Sequence, residues 1–212
     1  MNGFTSKGTG QIVLLIGVTG VVVVVSLLLF FLGLLQNIHS LSFMGALNDT
    51  TNALASILSA ILASKLHPTL QKQSPRFSLL ALIGTWAGAI AVTYGSWLIL
   101  TGTSDVQLSS YYFFLGNGLI GFWVWMLNHS ARQQAVWPEN LTRWGMIAGG
   151  FMMIGLLGLY GILLGLDGAD FSPLIVTTGI SFLGIGIFYP AWCLRLGYWI
   201  LSEHHNGVAG QG

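Results

Sequence analysis

Residues 11–35 contain no charged side chain, and the stretch is apolar almost throughout. Comparable stretches recur, so that six lie near 11–36, 42–64, 78–101, 110–130, 143–165 and 173–201. Each is about long enough to cross a ~30 Å hydrocarbon core at about 1.5 Å per residue in a helix. Lipid-facing strands are excluded, because an open sheet edge would leave backbone groups unsatisfied in hydrocarbon. Charged residues are 6% of the chain and hydrophobic ones 54%, against roughly a quarter charged in a soluble domain. So much apolar surface needs lipid as its solvent, since a chain of this size buries only part of its surface on folding. The expected fold is therefore all-α: a polytopic bundle of six spans over residues 11–202, with mobile ends at 1–10 and 203–212. The first stretch is longer than a signal-peptide core and lacks a small-residue cleavage site, so it reads as a retained anchor.

The basic residues orient the bundle. Lys7 precedes the first stretch; Lys65, Lys72 and Arg76 follow the second; Arg132 and Arg143 flank the fourth-to-fifth connection; Arg195 is near the end of the sixth. The alternate connections have no Lys or Arg, and two of them carry Asp105, Asp167 and Asp170. By the positive-inside rule both termini are expected in the cytoplasm. Trp137, Trp144, Trp192, Tyr198 and Trp199 are expected in a cytoplasmic interfacial belt, with Tyr111 and Tyr112 at the opposite end of the fourth helix. A net charge of +1 offers no basic face for nucleic acid.

Small residues take over helix packing where lipid removes the hydrophobic drive between helices. The 29 glycines include four-residue spacings at Gly84/Gly88, Gly145/Gly149 and Gly161/Gly165, with a near miss at Gly118/Gly121. They are expected to serve packing within the chain more than a dimer face. The single cysteine, Cys193, permits neither a disulfide nor a cysteine metal cluster and reads as a small buried apolar residue.

One segment breaks the apolar pattern. Asn48, Asp49, Thr50, Thr51 and Asn52 form a polar run inside the second stretch. At about 100° per residue, Asp49, Asn52, Ser56, Ala60 and Ala63 form one small, polar stripe expected to face the bundle interior. A charge at mid-membrane costs about 3 kcal/mol, so Asp49 is expected to be neutral, or else shallow, and to bond polar groups of other helices. The candidate ligand or ion pathway is Asp49, Asn48, Asn52, Ser56, Asn117 and Tyr94, with Thr85, Thr93, Ser96 and Tyr160 as further neighbours. His67 and His129, both at cytoplasmic helix ends, are weak candidates for holding a cofactor such as haem. Each is more simply an interfacial side chain, and neither a cofactor nor a metal is expected. The chain has no HExxH, no Walker-type glycine run and no serine-nucleophile motif. Catalysis is not expected.

The stretch from Gly116 to Trp123, then Asn128, Arg132, Pro138, Leu141, Arg143, Trp144, Gly145 and Gly149, resembles a group of uncharacterised bacterial six-helix membrane proteins, a domain-of-unknown-function family. Tyr189, Pro190, Ala191, Trp192, Cys193, Leu194, Arg195, Leu196 and Gly197 resemble the same group. The resemblance implies a bacterial inner-membrane bundle and no particular activity. Three functional classes are expected: a non-catalytic membrane component, acting as accessory subunit or homo-oligomeric scaffold; a small transporter or channel built on the Asp49 stripe; and a cofactor-binding membrane protein or intramembrane enzyme. The expected partners are the lipid bilayer and other membrane subunits or further copies of the chain.

Overall fold

The computed structural model describes residues 6–71, 75–104, 106–165 and 173–209, and these are all-helical apart from short connections. Lys72, Asp105, Asp167 and Asp170 of the charge map lie outside the described residues, as do residues 1–5 and 210–212 of the two ends. Six helical rods result. The first four are α1 (Lys7–Leu35), α2 (Phe43–Gln71), α3 (Pro75–Thr101) and α4 (Val106–Gln133). The fifth comprises α5 (Glu139–Met153), a 3₁₀ stretch (Ile154–Leu157) and α6 (Gly158–Leu164). The sixth comprises α7 (Pro173–Leu183), a π-turn (Gly184–Phe188) and α8 (Tyr189–Ala209). Among the described residues four helices are long and apolar enough to cross a membrane: Lys7–Leu35, Pro75–Thr101, Glu139–Leu164 and Gly179–Glu203. α2 and α4 match them in length at 29 and 28 residues but carry the polar residues Asn48 to Asn52, Asn117 and Asn128.

Local chemistry sets the ends of the rods. Ser6 caps α1, its Oγ accepting from the Thr9 backbone N–H at 3.3 Å. Gly165 closes α6 in the left-handed conformation, φ 55°, which glycine adopts without steric cost. The connection from α4 to α5 is shorter than the dozen residues suggested by the polar sequence, because α4 continues through His129 and Arg132 to Gln133.

Each rod packs antiparallel on the next, and the sixth returns to the first. The pairings fix the register. Asn48 bonds the Val23 carbonyl of α1, Trp86 of α3 bonds Ser64 of α2, and Gly88 of α3 meets Gly116 of α4. Gly118 of α4 lies against Leu156, and Gly17 and Gly20 of α1 lie against Leu194 and Pro190. The result is an up-and-down ring of six.

Glycines form three of these seams. A Cβ on Gly88 would stand 2.5 Å from the Gly116 carbonyl oxygen, one on Gly118 2.6 Å from the Leu156 nitrogen, and one on Gly197 2.8 Å from the Leu14 nitrogen. Backbones approach so closely only because no side chain intervenes. Gly145 and Gly149 are both closed in, against Asn128 and Trp125, and Gly161 faces the Tyr111 ring. Gly84 has open space around it, so of that four-residue pair only Gly88 packs within the chain. The 3₁₀ stretch belongs to the α4 seam, where Gly155 lies on the Phe114 carbonyl.

The buried core is concentrated toward the end that carries Lys7, Lys65 and Arg132. Leu62, Leu66, Trp123, Leu127, Trp192, Cys193, Leu196 and Ile200 are almost fully buried there. Trp192 and Trp137 are therefore core residues packed edge to face, not belt residues as expected. Trp144 and Tyr198 do face outward. Amphipathic rings fit either location, and the antiparallel seam between α1 and α8 turns Trp192 inward. Large apolar side chains such as Leu28, Phe31, Ile83, Ile90 and Leu163 cover the outer surface. Such a surface fits an integral membrane protein.

Candidate polar cavity within the bundle

The expected stripe of α2 does face the interior at Asn52, Ser56, Ala60 and Ala63, and only Asp49 departs from it. Asn48, Thr51, Asn52, Ser56 and Ser59 are buried, whereas Asp49 is half-buried. The seam is set by Asn48, whose Nδ2 donates to the Val23 carbonyl at 2.8 Å. Asn52 Nδ2 in turn donates to Asn48 Oδ1 at 3.1 Å. This relay turns Asn48 and Asn52 into the ring and leaves Asp49 on the flank. No side chain among the described residues donates to the Asp49 carboxyl, so the expected bonds to the third or fourth helix are not formed there.

A small cavity lies between α1, α2, α4 and the sixth rod. Ile16 and Gly20 line it from α1, Asn52, Ser56 and Ser59 from α2, Asn117 and Ile120 from α4, and Ile185, Tyr189 and Pro190 from the sixth rod. The volume open to the centre of a water molecule is about 20 Å³, which is room for about one water. Three of the expected residues, Asn52, Ser56 and Asn117, thus converge. Asn48 stands directly behind Asn52 in the relay.

The other expected residues lie elsewhere. Tyr94 is exposed, stacked on Trp97 and edge-on to Tyr112. Thr85 is buried but donates to the Ala81 carbonyl of its own helix, and Tyr160 faces outward. His67 Nδ1 bonds Ser78 Oγ at 2.8 Å. His129 stacks on Trp125 and bonds Gln133. These two histidines therefore have separate local partners.

Ser59 and Tyr189 were missed by the sequence reading. Ser59 donates to the Ala55 carbonyl at 2.8 Å. Its other contact is Tyr189 Oη at 2.8 Å, and the Tyr189 hydroxyl also pairs with the Cys193 thiol. The signal was present: Ser59 is three residues beyond Ser56 on the same face, and Tyr189 precedes the proline that breaks the last helix.

The sixth rod contributes a backbone feature as well. The Tyr189 N–H bonds the Gly184 carbonyl, five residues back. Pro190 has no N–H. Ile185 lines the cavity, and the residue five positions beyond it, its partner in the π register, is Pro190.

The chain matches no protein-family model, no curated protein and no solved structure. Fold and site define a class: an all-helical, glycine-sealed bundle that fits an integral membrane protein and holds a small uncharged cavity, mostly apolar, with a few polar side chains at its wall.

Proposed function

We propose that this chain is a non-catalytic integral membrane component that spans the bilayer six times with both termini in the cytoplasm. It works through its lateral helix faces, as an accessory subunit of a larger complex or as a homo-oligomeric scaffold. One observation carries this reading: the glycine seams seal the ring so closely that the polar residues of α2 and α4 surround only about 20 Å³. The short connections between rods leave the lateral faces as the main surface available to partners. Localisation to a bacterial inner membrane rests on the resemblance of the fourth to sixth stretches.

A small transporter or channel is the second reading, favoured by the meeting of Asn52, Ser56 and Asn117 beside the π-turn and Pro190. Asp49 would then be the titrating or cation-binding group at its outer flank.

The two readings separate in one experiment. The protein is purified into lipid nanodiscs for mass measurement and absorbance, and into liposomes for proton and sodium flux. The scaffold reading expects a particle heavier than one chain, or one carrying a second subunit, and flux equal to that of empty liposomes for wild type and Asp49→Asn alike. A lone chain whose flux is abolished by Asp49→Asn overturns it in favour of transport. A visible absorbance band overturns it in favour of a cofactor protein.

A further inference from the structure

We propose that the cavity beside the π-turn is a binding site for one structural water molecule, which replaces the backbone donor missing at Pro190.

The argument starts from the hydrogen-bond inventory. The Ser59 hydroxyl hydrogen goes to Ala55, and that of Tyr189 is taken up by Ser59 or Cys193. The Ser56 hydroxyl hydrogen goes to the Ala53 carbonyl at 2.8 Å. All three hydroxyls around the cavity have spent their donors and retain acceptor lone pairs. Asn117 Nδ2 gives one hydrogen to the Phe113 carbonyl at 3.0 Å, and Asn52 Nδ2 gives one to Asn48. Each amide keeps its oxygen and one further hydrogen.

The independent observation is the π register at Ile185. The π register directs the Tyr189 N–H to Gly184, and the residue that would serve Ile185 in the same register is Pro190. A buried carbonyl without a donor costs about 1–3 kcal/mol, and insertion of water is a recognised way of serving a broken helical ladder.

Water meets both demands. It donates two hydrogens, to the Ile185 carbonyl and to one side-chain oxygen, and accepts from the remaining amide hydrogens of Asn52 and Asn117. Buried waters typically make about three such bonds. A sodium ion would satisfy the oxygens but would face those amide hydrogens with like polarity. The volume admits one molecule and no chain of them.

The test is hydroxyl-radical footprinting by X-ray radiolysis of the full-length protein in nanodiscs, because a bound water generates radicals where it sits. Tyr189 and Tyr111 provide a matched pair, the same side chain at the same 6% exposure. Tyr189 should be modified several-fold faster than Tyr111, and after mixing into ¹⁸O-water its label should lag that of the exposed Tyr198. Ser56→Val, which fills the cavity, should bring Tyr189 down to the Tyr111 rate with Tyr111 and Tyr198 unchanged. Should Ser56→Val not fold, Pro190→Ala returns an N–H to the helix and should have the same effect. Equal rates at Tyr189 and Tyr111 in wild type overturn the proposal. Protection of Tyr189 by sodium but not by choline also overturns it, making the occupant a cation.

Discussion

Asn48 and Asn52 show how much one side chain decides in this bundle. Asn48 joins α2 to the α1 backbone at Val23 while accepting from Asn52, so its removal breaks two bonds. Interhelical side-chain bonds in membrane proteins are worth about 0.6 kcal/mol on average and up to about 1.7. Asn48→Ala should therefore cost about 1 kcal/mol, read as a lowered melting temperature in detergent. A double-mutant cycle with Asn52→Ala should show positive coupling, and additive losses would mean that the relay does not form. Ala135 presents the opposite case, with φ at 50° in the turn between α4 and α5. A left-handed alanine costs about 1–2 kcal/mol that glycine avoids, so Ala135→Gly should raise stability by about 1 kcal/mol in the same assay. The polar run was legible as interior from its composition. Asn52 and Ser56 were legible as inward-facing, but that Asn48 and not Asp49 joins them was not, because one step along a helix turns the side chain by about 100°, and the bond to Val23 depends on a partner 25 positions away.

Among the elements, the sixth rod and the glycine seams carry most of what apolar length alone cannot tell. Pro190 and the nearby Gly184 and Gly186 coincide with a π-turn over Gly184–Phe188. The 3₁₀ stretch at Ile154–Leu157 was not legible, since it follows from Gly155 and Gly158 meeting α4 carbonyls across the seam. Four-residue glycine spacing is equally silent about which member packs. Gly88 would push a Cβ onto the Gly116 carbonyl, whereas Gly84 has nothing within 4 Å. Gly88→Val should accordingly cost about 3 kcal/mol or prevent folding, as overpacking does, while Gly84→Val should leave the monomer within about 0.5 kcal/mol of wild type. Thermal unfolding of the two variants checks the first comparison. Size-exclusion chromatography checks a second point, because loss of an oligomer in Gly84→Val alone would place Gly84 at a contact between copies.

At the scale of the whole molecule, the antiparallel ring collects at one end the start of α1, the end of α2, the starts of α3 and α5, and the ends of α4 and α8. Lys7, Lys65, Arg76, Arg132 and Arg143 therefore lie at one end of the bundle. Glu139 and Glu203 are acids at the same end, and Glu139 lies 2.7 Å from Arg143 and 3.4 Å from Arg132. These pairs are exposed and solvent-screened, so they add little stability, and acidic residues weigh little in orientation. The basic end should therefore be retained in the cytoplasm. A reporter fused after Ser202 should be active there, and one placed in the connection at Asp105 should be active outside. Lys65, Lys72 and Arg76 lie in or beside one short connection, where the charge bias acts most strongly. Replacing these three with glutamine should give a mixed population, with part of the Ser202 reporter lost and part of the Asp105 reporter appearing inside. Replacing Arg132, Arg143 and Arg195, which are divided between the α4–α5 connection and α8, should disturb orientation less. Labelling of the wild-type C-terminus from outside the cell would remove the six-span arrangement, because an even number of spans must return the chain to the side on which it began.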